Sequence, residues 1–235
     1  MASGVTATTV QRSAGTMPFQ PRNWLRPAYA LWAFIGLMYL YVLLHNESFL
    51  INRNNPEWEH IQSFKWWLLP HGVAGACALF LAPLQFSDSL RKHFTKLHRV
   101  MGRVYVGAVF VAAPIGLYIQ CFEEQLGVPR SFTIATAVDA SLWLLTTSVA
   151  MVFILKGKVQ QHRQWMTRSF ACALIFLEVR FIDGITGREN LGLAAVETTL
   201  WICVACAMPL ADLVLQWQES HRARPISVRT QGARP

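Results

Sequence analysis

The chain has 235 residues, of which 53% are hydrophobic and only 14% are charged. About a quarter of the residues of a soluble domain are charged, so this composition excludes a soluble globular protein. It also excludes a disordered chain, a collagen-like chain and a small secreted domain held by disulfides. The composition predicts an all-α polytopic membrane protein, and we expect a bundle of six transmembrane helices.

Six stretches of the sequence are long and apolar enough to cross a bilayer, whose hydrocarbon core of about 30 Å requires roughly 20 helical residues. Short polar connections separate these stretches, as expected between neighbouring antiparallel helices. The predicted spans lie at residues 28–45, 66–86, 99–121, 134–156, 166–184 and 192–215.

The sequence on both sides of the predicted transmembrane domain, residues 28–217, is polar and basic. Residues 1–27 are rich in Ser, Thr and Gly and lack the apolar core of a cleaved signal peptide, so we expect a mobile cytoplasmic arm. Residues 218–235 are expected to form a disordered basic tail.

Charged residues are distributed unevenly between the two ends of the predicted spans. Sixteen of the 21 Lys and Arg fall at the end that holds both termini, whereas ten of the 13 acids fall in the opposite half. Because basic residues near short loops stay in the cytoplasm, this distribution predicts that both termini are cytoplasmic. Contact with anionic lipids at that face accounts for the net charge of +8, and no nucleic-acid partner is needed.

Ionisable side chains at membrane depth are costly unless they are paired, hydrated or functional, which makes them the informative residues. Helix direction and a rise of about 1.5 Å per residue place them in two layers separated by most of the membrane. The inner layer, at the cytoplasmic end, contains Gln85, His98, Arg99, Arg103, His162, Arg163 and Arg168. The outer layer contains His71, Asp139, Glu178, Arg180, Asp183 and Glu197.

Three linked motifs occupy the centre of the sequence. They are PHGVAGACALFLAPLQF, LHRVMGRVYVGAVFVAAPIGLY and HRQWMTRSFA, the last followed by an Arg in the same span. Over about residues 66–184 these motifs resemble a bacterial family of membrane proteins classed as a domain of unknown function, DUF2306. The resemblance implies a bacterial inner-membrane location but no known activity. The residues that match the family pattern are His71, Gln85, His98, Arg99, Gly102, Arg103, Tyr105, His162, Arg163, Trp165, Met166, Arg168, Ser169 and Arg180.

Six spans with cytoplasmic termini and histidines on central helices are also similar in architecture to cytochrome b561-type electron carriers. That resemblance implies a b-type haem held by His98 of span three and His162 of span five, with basic residues at its propionates. A second haem at His71 would need a histidine on span four, which carries Asp139 and no histidine. The resemblance therefore implies at most one haem, in the inner layer.

The inner layer admits two further interpretations. The HR dipeptides that open spans three and five suit lipid phosphates at the cytoplasmic face. They also suit a pocket for a small anionic ligand bound by His98 and His162, with Arg99, Arg163 and Arg168 around it. Because arginines packed this closely repel one another, we expect an anionic group among them. We also expect the two imidazole rings to point toward each other.

The outer layer admits two interpretations as well. In the first, a carboxylate neutralises Arg180, and the layer is a buried ion pair that fixes helix register. In the second, His71 and the acids form a proton relay or a quinone site. No metal site is predicted, because the sequence has no HExxH motif and the cationic Arg180 would repel a metal ion.

Three functions are therefore open, and the sequence assigns no catalytic residue. The first is electron transfer with b-type haem, acting on quinone or on a metal ion. The second is transport or the binding of a small ligand. The third is a non-catalytic subunit or lipid-interacting scaffold that works with partner subunits in a membrane complex. An absorbance spectrum separates the first function from the others, because b-type haem absorbs strongly in the visible range.

Overall fold

The structure is a computed structural model that describes residues 27–46, 54 and 57–222. The predicted N-terminal arm, apart from its last residue, and most of the predicted C-terminal tail lie outside these residues. All regular structure in the described residues is helical, which confirms the all-α prediction. In chain order the helices are α1 (Pro27–His45), α2 (Glu57–Ile61), α3 (Lys65–Gln85), α4 (Asp88–His93), α5 (Thr95–Gln125), α6 (Arg130–Leu155), α7 (Val159–Thr186), a 3-10 helix (Arg188–Leu191) and α8 (Leu193–Arg222).

Each predicted span lies within one of the long helices α1, α3, α5, α6, α7 and α8, apart from at most one residue at an end, and α5, α6, α7 and α8 extend up to seven residues beyond their spans. Of the described helices, α3, α5, α6 and α8 have the length and apolar composition needed to cross a membrane. The apolar part of α1, Tyr29–His45, is shorter. Helix α7 has 28 residues but also carries several charged side chains, which make it more polar than the other long helices.

The described chain divides into two compact units at Gly36, within α1. The first unit contains the N-terminal part of α1, and the second contains everything from Leu37 onward. In the second unit, α3 packs against α5, α5 against α6, α6 against α7, and α7 against α8. Short connections make each of these pairs antiparallel, so α5 and α7 begin at the same end of the bundle.

Helix α7 lies inside the second unit, because it contacts α3, α6 and α8. Its residues Ile175 and Val179 form one apolar core with Ala135 of α6 and with Leu200 and Val204 of α8. Enclosure by other helices explains why this helix is the most polar of the six, because many of its side chains face protein instead of lipid. Both predicted layers have members on this helix, which are His162, Arg163 and Arg168 of the inner layer and Glu178, Arg180 and Asp183 of the outer layer.

Candidate functional site

Four side chains near the middle of the bundle form a closed chain of hydrogen bonds between α5, α6 and α7. Trp143 Nε1–H donates to the Tyr105 hydroxyl over 3.3 Å, and this hydroxyl lies 2.7 Å from Ser169 Oγ. Ser169 Oγ lies 2.7 Å from Thr147 Oγ1, which donates to the Trp143 carbonyl oxygen over 2.7 Å. Tyr105, Thr147 and Ser169 are fully buried. One arrangement of the hydrogen atoms gives every donor an acceptor. In it the Trp143 indole N–H donates to the Tyr105 hydroxyl oxygen, the Tyr105 hydroxyl donates to Ser169 Oγ, and the Ser169 hydroxyl donates to Thr147 Oγ1. The Thr147 hydroxyl then donates to the Trp143 carbonyl oxygen.

The hydrogen bond between Tyr105 and Ser169 also determines how the two HR motifs face each other. The two HR motifs are residues 98–105, HRVMGRVY on α5, and residues 162–169, HRQWMTRS on α7, so each runs from a histidine to Tyr105 or Ser169 seven residues later. Seven residues are about two helical turns, so each histidine lies on the same helix face as its motif's last residue and about 10.5 Å nearer the helix start. Since α5 and α7 begin at the same end, the two imidazoles are brought together, and they are close enough to interact electrostatically.

The two imidazoles differ in their hydrogen bonding. His162 Nδ1 lies 2.9 Å from the carbonyl oxygen of Ala150 on α6. A carbonyl oxygen only accepts hydrogen bonds, so Nδ1 carries a proton, and in the neutral imidazole the lone pair is then on Nε2. His98 Nδ1 is buried and has no hydrogen-bond partner among the described residues. The pair therefore offers a lone pair on His162 and an unpaired ring nitrogen on His98.

The arginines of the inner layer have different surroundings. Arg168 forms an ion pair with Asp212 of α8, with Nη2 at 2.7 Å and Nε at 2.9 Å from Oδ1. Its guanidinium also lies over the Trp165 ring, 4.9 Å from the centroid. Arg163 is half-buried and Arg99 is exposed. Asp212 could not be recognised from the sequence as the partner of Arg168, because the two residues are 44 positions apart and on different helices.

The Gly and Gln of the family pattern meet between α3 and α5. A Cβ atom at Gly102 would lie 3.6 Å from Gln85 Oε1, an ordinary van der Waals distance, which shows that the Gln85 amide lies against α5 at this turn. Gln85 Nε2 is buried without a hydrogen-bond partner among the described residues. The structure places Gln85 at the end of α3 that faces the start of α5, which is the depth expected of the inner layer.

In the outer layer, His71 of α3 is fixed against α5. His71 Nδ1 lies 2.9 Å from the Ala112 carbonyl oxygen. The ring occupies the space left by Gly116, where a Cβ atom would come within 2.7 Å of His71 Cε1. Arg180 of α7 is close enough for its charge to act on the imidazole. The structure thus brings His71 and Arg180 within electrostatic range of each other.

Helix α7 divides the outer layer into two groups. Glu178 and Arg180 are two residues apart and therefore about 200° apart around the helix. Arg180 acts on His71, whereas Glu178 acts on Asp139 of α6. Asp139 Oδ1 is buried without a hydrogen-bond partner among the described residues. The Arg180 guanidinium lies over the Phe176 ring, with its Cζ atom 4.5 Å from the ring centroid. Neutralisation of Arg180 by a carboxylate stays a prediction.

Asp183 belongs to a third group at the end of α7. Its Oδ1 accepts a hydrogen bond from Thr199 Oγ1 over 2.6 Å and lies 3.6 Å from Arg188 Nε. Arg188 also donates to the Ala195 carbonyl oxygen over 2.9 Å, so the three residues join the 3-10 helix to α7 and α8. Glu197 is half-buried on α8 and makes none of the hydrogen bonds that join the described members of this group. The sequence analysis identified Asp183 but not Arg188 or Thr199.

The residues that the structure describes include no group of three or more His, Cys, Asp or Glu side chains that could hold a metal ion. The pairs described above, His98 with His162 and Asp139 with Glu178, each contain two ionisable groups. His71 interacts with Arg180, apart from the pair formed by Asp139 and Glu178.

Comparison with known proteins supports the motif-based resemblance. The family model described as Predicted membrane protein (DUF2306) matches residues 68–215, which is more than half of the chain. No curated protein and no solved structure matches the chain. The similarity to cytochrome b561-type proteins is therefore not confirmed. The matched region contains both HR motifs, His71, Gln85 and Asp212, and the chain belongs to the DUF2306 family of membrane proteins.

Proposed function

We propose that this membrane protein is an electron carrier that binds one b-type haem between His98 and His162. The observation that supports the proposal is the Tyr105–Ser169 hydrogen bond together with the seven-residue spacing in both motifs. This combination turns both histidines toward the same space between α5 and α7.

The donor set suits a b-type haem, whose iron would be held by the imidazoles of His98 and His162. A histidine ligand usually donates its second N–H to a carbonyl or carboxylate, and His162 does so to Ala150. The unpaired Nδ1 of His98 is an orphaned buried atom of the kind that a bound group satisfies. Arg99 and Arg163 are close in sequence to the two histidines and would meet the haem propionates.

A bound b-type haem supplies reversible one-electron transfer. The chain's own residues determine where the cofactor lies and how far water reaches it. The Ala150 carbonyl oxygen fixes the His162 ring, and the buried chain from Tyr105 to Thr147 holds α5, α6 and α7 at a constant separation. For an electron carrier in the bilayer we propose quinone as the redox partner, since quinones are soluble in the membrane.

The absorbance spectrum of the purified full-length protein tests this proposal. We expect a Soret band and sharp bands on reduction in the wild type, and their loss in His98→Ala and His162→Ala. His93→Ala is the matched control, because His93 is exposed on α4 and bonds only to the Ser89 carbonyl oxygen among described residues. A colourless wild-type protein, produced in cells supplied with haem precursor, refutes the proposal. A loss of the spectrum in His93→Ala equal to that in His98→Ala refutes the assigned ligands.

Binding of a small anionic ligand at the same place is the second candidate, and the exposed Arg99 favours it. Arg168 contributes less to such a pocket than the sequence suggested, because Asp212 already balances its charge. A colourless protein that is stabilised against heating by phosphate or a carboxylate, and not by chloride, would favour this candidate. A scaffold role with partner subunits has no specific support among these contacts.

The proposal includes the topology, with six spans, cytoplasmic termini and a location in the bacterial inner membrane. Helices α6 and α8 both have the composition of spans, and α7 runs antiparallel between them. If α6 and α8 cross the bilayer in the same direction, α7 must cross it in the other. The basic residues at the start of α5 and α7 would then contact anionic lipids at the cytoplasmic face.

Cysteine labelling of intact cells tests this topology. Lys92→Cys and Lys158→Cys are expected to resist a membrane-impermeant thiol reagent, and Arg130→Cys is expected to react, on a background with the exposed Cys121 and Cys206 replaced by Ser. Labelling of residue 92 or 158 from outside contradicts the proposed orientation.

A further inference from the structure

Two acids lie within the apolar core that joins α6, α7 and α8. Asp139 is four residues after Ala135, which belongs to that core, and three residues before Leu142, which packs against it. Glu178 is three residues after Ile175, a core residue of α7. Residues three or four positions apart share a helix face, so both acids stand on the faces that build the core. The two acids are close enough to each other for their charges to interact.

This pair of acids has no cation beside it among the residues that the structure describes. Both acids are half-buried, and neither forms an ion pair or a hydrogen bond in the described part of the chain. Asp139 Oδ1 is buried without a hydrogen-bond partner there. Arg180 is two residues from Glu178 and therefore on another side of α7, where it acts on His71. The described ion pairs are formed by other acids, which are Asp88, Asp183, Glu189 and Asp212.

The other titratable groups around the pair are uncharged or already paired. Cys172 of α7 and Cys203 of α8 are 1% and 3% exposed, and both are close enough to the acids to interact with them. A thiol without a cation beside it is uncharged at neutral pH. Asp183, five residues after Glu178, is paired with Arg188. On α5, which packs against α6, the buried Tyr105 belongs to the closed chain of hydrogen bonds and interacts with Cys172.

A proton would resolve both difficulties of this arrangement. Two ionised carboxylates that share an apolar site repel each other, so such a pair retains a proton on one member. A carboxylate oxygen only accepts hydrogen bonds, whereas a protonated carboxyl group also donates one. Protonation of Glu178 would therefore remove one of the two charges and supply the donor that the buried Oδ1 of Asp139 lacks.

We propose that Asp139 and Glu178 form a proton-binding site in the core of the bundle, and that this site holds one exchangeable proton at neutral pH. Acids at membrane depth are the groups from which membrane pumps and transporters build proton relays. The inference goes beyond the proposed haem site, because none of the residues that would hold haem takes part in it.

Infrared spectroscopy of the full-length protein tests this inference in dodecyl maltoside micelles, which contain no carboxyl or ester group. A protonated carboxyl group has a C=O stretching band that is separate from the carboxylate bands and that shifts when deuterium replaces the proton. We expect the wild type to show this band at neutral pH and to lose it on titration with base. The band should shift in heavy water, because the proton is exchangeable.

Two variants that keep the shape of each side chain assign the band to the pair. Glu178→Gln and Asp139→Asn each place an N–H donor beside the remaining acid. Each is expected to abolish the band at neutral pH, since the remaining carboxylate gains a donor and no longer faces a second negative charge. Glu219→Gln is the matched control, because Glu219 is exposed on α8 and accepts its described hydrogen bond from Gln164. This control should leave the band unchanged.

The wild type by itself can refute the inference, so the test does not depend on the folding of any variant. Absence of the band at neutral pH, or a band that does not shift in heavy water, overturns the proton-binding site. A band that persists in Glu178→Gln or in Asp139→Asn, or that Glu219→Gln also removes, places the proton elsewhere and overturns it as well.

The absorbance spectrum of the same samples separates this inference from the proposed function. A colourless protein that shows the infrared band supports the proton-binding site and refutes the haem. A protein with a haem spectrum and no infrared band supports the haem and refutes the proton-binding site.

Discussion

Replacement of Ser169 by Ala is expected to destabilise the protein by breaking the closed chain of hydrogen bonds between α5, α6 and α7. Ser169 accepts the proton of Tyr105 and donates its own to Thr147. After the substitution, Thr147 still donates to the Trp143 carbonyl oxygen, so its proton keeps an acceptor. The Tyr105 hydroxyl loses its acceptor in a fully buried position.

The magnitude follows from that single unpaired donor. A buried donor without an acceptor costs about 1–3 kcal/mol, because it has lost water without gaining a protein partner. Measured hydrogen bonds between helices in membranes reach only about 1.7 kcal/mol, so we expect a loss of about 1–2 kcal/mol in the free energy of unfolding. Removal of the hydroxyl itself by Tyr105→Phe eliminates the unpaired donor. Ser169→Ala should therefore add almost nothing in a Tyr105→Phe background.

The free energy of unfolding, measured by titration with sodium dodecyl sulfate from mixed micelles, checks both numbers in a double-mutant cycle. Ser148→Ala is the matched control, since Ser148 of α6 bonds only within its own helix, to the Leu144 carbonyl oxygen, in the described structure. We expect that variant to change stability by less than about 0.5 kcal/mol. A cost for Ser169→Ala no larger than for Ser148→Ala, or additive effects at positions 105 and 169, would refute the reasoning.

Two further substitutions test contacts that involve acids. Thr199→Val is expected to cost about 1–3 kcal/mol in the same assay, because it removes a donor from Asp183, which is only 3% exposed. The exposed neighbour Thr198→Val should be nearly neutral, and equal costs would contradict the assignment. Asp212→Asn is expected to cost only about 0.2–1 kcal/mol, since 47% of the Asp212 side chain is exposed and solvent screens its ion pair with Arg168. The difference in the free energy of unfolding between the wild type and Asp212→Asn should shrink at high ionic strength. A difference that does not depend on salt would argue against an ion pair.

The membrane class and the position of each long helix followed from the sequence, which also predicts the depth of each polar residue along its helix. Depth along a helix depends only on the chain direction and on a rise of about 1.5 Å per residue, so it can be read in one dimension. For that reason His98 and His162 were assigned to one layer and His71 to the other. The family was also recognisable, because three linked motifs preserve residue types and spacing.

The direction in which each polar residue faces around its helix was decided only by the tertiary structure. Residues two positions apart, such as Glu178 and Arg180, share a depth but point to opposite sides of α7, which divided the predicted outer layer. The partners of Arg168 and Asp183 were missed for the same reason, since packing of α8 against α7 selects Asp212 and Thr199. Side-chain depth is a property of one helix, whereas a side-chain partner depends on which helices are neighbours and how each is rotated.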